Sequence, residues 1–211
     1  MIDYQKAMKK LASLIGKMEA QGLEASCRFM EPVAASEIDR TETELDIKFP
    51  PALREALLAF RCRLDWQRDE GLPDEFDFCS SGCFDWHLDS LVDVELYRRS
   101  FFNDVIGIPS NDGHRAWLNK LAILSTDEGH FIAIDLEGGD DPPVVMLTRD
   151  NTEPTGEILA PSLTQFFEQW FQLACVGPSI AAFGDITDGY NLPFDVNNGH
   201  VKTWLDWLHE D

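Results

Sequence analysis

Leu121-Ala-Ile-Leu-Ser-Thr126, His130-Phe-Ile-Ala-Ile-Asp-Leu136 and Val144-Val-Met-Leu-Thr-Arg149 are three short runs rich in Ile, Val and Leu, each closed by turn residues. Gly129 follows Asp127-Glu128, and Gly138-Gly139-Asp140-Asp141-Pro142 follows the second run. Those are strand and turn patterns. The gaps are short enough for antiparallel neighbours, so the stretch predicts a meander, with residues 157–160 as a possible continuation. The period then changes. Leu163, Phe166, Phe167, Trp170, Phe171 and Ala174 share one face of a helix. Ser162 before it and Gln165 three residues on suit its start, because each side chain can satisfy a free backbone N–H. A half-apolar sheet followed by such a helix predicts that the rings pack on the sheet, making residues 121 to 171 the centre of an α+β domain.

Toward the N-terminus, Tyr4, Met8, Leu11, Ile15 and Met18 form a helical stripe with Gly22 as its stop. Residues 23 to 35 read as a linker. Ser36 is the expected cap of a second helix bearing Ile38, Glu42 and Leu45, residues 46–49 a turn, and Pro50-Pro51 the start of a third helix. That helix is expected to carry Leu53, Leu57, Phe60 and Leu64 on one face and Arg54, Glu55, Arg61 and Arg63 on the other. Residues 65 to 77 read as an acidic loop. Residues 78 to 91 mix strand alternation (Phe84, Trp86, Leu88) with a helix start at Asp89-Ser90. A long connection, 101 to 120, leads to the meander. After Gly177-Pro178 the period weakens until Val201, Trp204, Leu205 and Leu208 predict a last helix.

At 211 residues the chain can bury a real core. Its formal net charge is -21, from 38 acidic against 17 basic residues, which disfavours nucleic acid and anionic membrane as partners and allows a basic protein. Cys27, Cys62, Cys79, Cys83 and Cys175 are odd in number and irregularly spaced, unlike a disulfide framework; that points to a reducing cytoplasm. No apolar run is long enough to span a membrane, and the short run after Lys9-Lys10 is cut off by Lys17 and Glu19, unlike a signal peptide.

The stretch Ala35-Ser-Glu-Ile-Asp-Arg-Thr-Glu-Thr-Glu-Leu-Asp-Ile-Lys-Phe-Pro-Pro-Ala-Leu-Arg-Glu-Ala-Leu-Leu-Ala-Phe60 resembles the N-terminal motif of the SUKH superfamily, in its Smi/Knr family, with Phe49-Pro50 in place of the usual Leu-Pro. Phe131-Ile-Ala-Ile-Asp-Leu136, Val144-Val-Met-Leu147 and Leu159-Ala-Pro-Ser-Leu-Thr-Gln-Phe-Phe167 resemble later blocks of the family, in the same order. Two departures stand out: Arg61-Cys62-Arg63-Leu64 replaces the usual Asn-Gly-Gly, and the segment between Trp86 and Leu121 is long. The resemblance implies an α+β domain of helices around a mostly antiparallel sheet. It divides the chain into an N-terminal helix and linker (1–32), a SUKH-like domain (33–176) and a C-terminal extension ending in a helix (177–211). It also implies a cytosolic immunity protein that neutralises a bacterial toxin by binding it. The alternatives are an intracellular regulator or scaffold of the same family and a carboxylate-dependent hydrolase.

Candidate chemistry is sparse. Cys79, Cys83 and His87 have spacing that invites zinc, with Cys175 or His114 as a fourth ligand, but two small buried thiols and a surface histidine are the simpler account. Asp135 and Glu137 lie two apart at a strand end, at a spacing that suits an acid/base pair, yet a polar strand end entering a turn is the simpler account. The common nucleotide, hydrolase and zinc-protease motifs do not occur. The expectation is therefore no catalytic residue, no metal and no cofactor. The partner is expected to be a basic toxin domain, met by the acidic stretches Asp65, Asp69, Glu70, Asp74, Glu75, Asp77 and Asp85. Trp66 and Trp86 are the candidate aromatic anchors, with a core position as the alternative for Trp86.

Overall fold

The computed structural model describes residues 2–67, 76, 81–126, 129–149, 155–177 and 199–209. In chain order the elements are α1 (Tyr4–Ala20), β1 (Glu24–Met30), α2 (Ala35–Leu45), α3 (Pro51–Ala59), β2 (Arg61–Gln67), β3 (Ser81–Trp86) and α4 (Leu88–Phe101). A π-helical turn (Phe102–Ile106) and α5 (Asp112–Arg115) follow. The meander comes next, β4 (Lys120–Ser125), β5 (Phe131–Asp135), β6 (Val144–Leu147) and β7 (Glu157–Ala160), then α6 (Leu163–Gln172) and α7 (Gly199–His209). Two antiparallel sheets result, β1-β2-β3 and β4-β5-β6-β7, so the α+β class and the meander stand as the sequence implied. Ser162 Oγ accepts from the Gln165 amide at 3.1 Å, capping α6 as expected.

The three-stranded sheet holds two corrections. Residues 23 to 35 are no linker, because Glu24–Met30 pairs antiparallel with β2 along its whole length. The third helix stops at Ala59, and Leu64 sits on a strand instead. Leu64 fits two periods at once. It falls seven residues after Leu57 on a helix, but it also lies between Cys62 and Trp66 in a strict alternation with Arg61, Arg63, Asp65 and Gln67. The apolar members of that alternation are buried and the polar ones stay at least partly exposed, which is the pleat of a half-buried strand. Ser36 is likewise not the cap of α2. Ala34 is, and the Glu37 carboxylate accepts the Ala34 amide at 3.0 Å.

The meander is buried on both faces. Leu121, Ile123, Ile132, Ile134, Val144 and Met146 join the main core, while Ala122, Phe131, Ala133, Val145 and Leu147 form a second cluster with Phe101 and Trp117. The α6 rings lie in the main core, but their aromatic neighbours are in the other half of the molecule. Phe167 meets Trp86 at 5.0 Å and Phe60 at 6.0 Å, and Trp170 meets Phe84 at 5.0 Å. The helix therefore joins the two sheets rather than resting on the meander alone.

The turn after α6 is fixed by three indoles. Ala174 and Cys175 are left-handed, with φ of 54° and 55°. The end of a helix leaves carbonyls without intrahelical donors. Trp204 Nε1–H donates to Leu173 O at 3.1 Å, Trp66 Nε1–H to Ala174 O at 2.7 Å and Trp170 Nε1–H to Val176 O at 3.0 Å. These tryptophans come from α7, β2 and α6, so one turn ties three elements together.

Two buried carboxylates hold the helices in place. Glu95 on α4 is fully buried; it accepts from Arg98 Nε and Nη2 at 2.8 and 2.7 Å, from Arg99 Nε at 2.8 Å and from the Ala122 amide of β4 at 2.9 Å. Arg99 also reaches Leu45 O at the end of α2, at 2.7 Å. Glu42 on α2 accepts from the Phe49 amide at 3.0 Å and pairs with Lys48 and Arg54, both at 2.8 Å, fixing the turn into α3.

Candidate partner-binding face

Alternation along β1, β2 and β3 sorts every residue of the three-stranded sheet to one of two sides. One side carries Ala25, Cys27, Cys62, Leu64, Trp66, Phe84 and Trp86 toward the core, while Phe29, on the same side by parity, stays 42% exposed. The other faces solvent in cross-strand rows: Glu24 beside Gln67 and Ser81, Ser26 beside Asp65 and Cys83, and Arg28 beside Arg63 and Asp85. Arg61 continues the outward set of β2 opposite Met30. This polar sheet face is where the structure places the two described carboxylates expected to meet a partner. Asp65 is exposed and Asp85 partly so.

The same alternation corrects the aromatic anchors. Trp66 and Trp86 are 0% and 1% exposed, because each is one residue from an outward carboxylate and so points inward. Trp66 stacks on Trp204 at 5.6 Å, and Trp86 packs between Phe60 and Phe167. Neither indole is available to a partner. Trp86 takes the core position that was its alternative reading. Asp69, Glu70, Asp74, Glu75 and Asp77 lie outside the described residues.

The residues weighed for chemistry have other employment. Cys79 is outside the described residues, and Cys83 is not the buried thiol expected: paired with the outward Asp65, it is exposed on the polar face. His87 caps α4, its Nδ1 accepting from the Ser90 amide at 3.0 Å, with Nε2 3.2 Å from Asp85 Oδ1. Among the described residues no group of three His, Cys, Asp or Glu side chains is placed to hold a metal ion. Burial pushes the Cys27 thiol up to about 11 and also raises Cys62 and Cys175, so these three remain neutral thiols near pH 7. Asp135 Oδ1 accepts from the Glu137 amide at 3.1 Å and pairs with Lys120 at 3.1 Å, while Glu137 accepts from Asn119 at 2.7 Å. Both carboxylates thus secure the strand end and its turn.

A groove of about 570 Å³ lies elsewhere, between α1, α6 and α7, with Lys6, Lys10 and Lys17 along one wall and Glu168, Phe171 and His209 among its other lining residues. No described helix is long and apolar enough to cross a membrane.

A linker over residues 23 to 35 hides this face at the level of sequence; its signal there is the alternation of Leu23, Ala25, Cys27 and Phe29 with Glu24, Ser26 and Arg28.

A family model described as SMI1 / KNR4 family (SUKH-1) matches residues 32–169, from just before α2 to within α6. No curated protein and no solved structure matches the chain.

Proposed function

This chain belongs to the SMI1 / KNR4 family (SUKH-1), and on that premise we propose that it is a cytosolic immunity protein that neutralises a bacterial toxin by direct binding. Family membership carries the reading, since the family includes immunity proteins and its domains typically bind protein partners. The net charge of -21 supports a basic toxin, whose encounter it would accelerate. Binding also suits a chain whose best-placed carboxylate pair is already committed to Lys120 and Asn119. The polar face bearing Asp65 and Asp85 is the docking surface in this reading, and Asp69, Glu70, Asp74, Glu75 and Asp77, which follow Asp65 in the sequence, add to the acidic charge proposed to meet the partner.

The test is capture. The purified chain is immobilised and exposed at low salt to a lysate of its source, and the retained protein is then assayed for toxicity with and without the chain. A basic protein whose toxicity is suppressed by stoichiometric addition is the expected result. Retention of nothing, or of a protein whose activity is indifferent to the chain, would sink the proposal.

A further inference from the structure

The described arginines divide sharply by what they touch. Arg40, Arg54, Arg98, Arg99 and Arg115 each pair with a carboxylate, and Arg149 lies over the rings of Tyr97 and Phe101. The remaining three are Arg28, Arg61 and Arg63. Among the described residues they make no ion pair and no side-chain hydrogen bond, and the Arg61 Nε donor is buried without an acceptor. All three sit at one end of the same open sheet face. In a chain with 38 acidic against 17 basic residues, carboxylate partners are abundant, so three neighbouring unpaired guanidinium groups are the reverse of what random surface would give.

Their arrangement also opposes folding. Arg28 and Arg63 are directly opposite each other on adjacent strands. Like charges in that position repel across a few ångströms and weaken the pairing. Asp85 is next in the row, but its Oδ1 lies 3.2 Å from the His87 ring and pairs with neither arginine. A local conflict kept in an otherwise consistent sheet is the mark of a group meant for an external contact.

We propose that Arg28, Arg61 and Arg63 form a docking subsite for carboxylates of the partner protein, so that a largely basic partner must present an acidic segment at this end of the sheet. Guanidinium forks bind carboxylates in two parallel hydrogen bonds, which fixes orientation as well as adding attraction. The net charge steers a basic partner to the molecule, while the arginines set which basic partner fits. A protein segment suits the site better than a nucleic acid, because a long polyanion is repelled by a chain of net charge -21 whereas a short acidic segment of a basic partner is not. The inference rests on the reading of this chain as a protein-binding domain, but its test does not need the natural partner.

The full chain, isotope-labelled, is titrated at low salt with hexaglutamate and separately with hexathymidylate, and the guanidinium Nε–H resonances are followed. Hexaglutamate should move the signals of Arg28, Arg61 and Arg63 saturably while leaving lysines of the α1 groove such as Lys6 and Lys10 unaffected. Arg63→Gln should weaken that binding by about five-fold or more, as for the loss of one charge-assisted contact. Arg28→Gln should raise Tm by about 1–3 °C by relieving the cross-strand repulsion. Guanidinium signals that stay put, hexathymidylate binding more tightly than hexaglutamate, or a lower Tm for Arg28→Gln would each overturn the proposal. A lysate capture that retains nothing would defeat the toxin reading while leaving this titration to decide on the subsite by itself.

Discussion

Trp66 shows how one residue can be misplaced by its neighbours and correctly placed by its parity. It stands beside Asp65 in an acidic stretch, so composition puts it on the surface; strand alternation puts it in the core, where it is 0% exposed. Its indole N–H donates to Ala174 O, and Gly82 lies so close that a Cβ there would collide with the ring. Trp66→Phe keeps an aromatic filler but leaves that buried carbonyl without its donor, so it should cost about 1–3 kcal/mol in urea unfolding. At a temperature where the variant is folded, its association with a captured partner should be unchanged; slower association would restore the indole as a contact. The inward position was legible from the alternation of Cys62, Leu64 and Trp66. The hydrogen bond was not, because its acceptor lies more than a hundred residues away in sequence, at a turn whose left-handed residues Ala174 and Cys175 are neither Gly nor Asn.

Two buried carboxylates join elements of this fold alongside its apolar packing. Glu95 gathers Arg98, Arg99 and the Ala122 amide, binding α4 to the meander and, through Arg99, to α2. Glu95→Ala would leave Arg98 buried without its counter-charge and should destabilise by about 3–5 kcal/mol in chemical denaturation. A loss below about 1 kcal/mol would show that the cluster relaxes into solvent. Glu42 adds a pH dependence. Burial pushes its carboxyl up, but the hydrogen bonds from Lys48, Arg54 and the Phe49 amide outweigh burial and leave it lowered. A carboxylate whose folded value is depressed stabilises fully above its unfolded value and loses that contribution as pH falls through the folded one. Stability should therefore decline on acidification below the ordinary glutamate range, and Glu42→Gln should flatten that part of the profile. A profile identical in the variant would remove Glu42 from the account. The meander and α6 were readable because each has one unambiguous period. β2 is ambiguous in the sequence because Leu64 satisfies both periods, and β1 is inconspicuous because its apolar residues Ala25 and Cys27 are small.

The whole molecule is larger than its matched segment. The family match spans residues 32–169, yet α1, β1 and α7 outside it share the main core: Tyr4 packs on Phe60 at 5.2 Å, and Trp204 of α7 is fully buried against Trp66 and Phe76. Trp204→Ala should thus cost about 3–5 kcal/mol, as for a large aromatic lost from a core. A cost near zero would make α7 an appendage. Charge is the other property of the whole molecule. The described face with Asp65 and Asp85 also holds Arg28, Arg61 and Arg63, so in this reading attraction at long range falls to the net -21 and fit at short range to the arginines. Long-range steering is screened over a Debye length of about 8 Å at physiological salt, whereas close contacts are screened far less. Association with a captured basic partner should consequently slow several-fold between low and physiological salt, with a smaller change in dissociation. Asp65→Lys, an exposed change that leaves the sheet intact, should slow association further at low salt and matter less at high salt. Stopped-flow mixing measures both. Association indifferent to salt and to Asp65→Lys would mean that the acidity keeps the chain soluble and plays no part in finding its partner; a salt effect confined to dissociation would assign the charge to the contact itself.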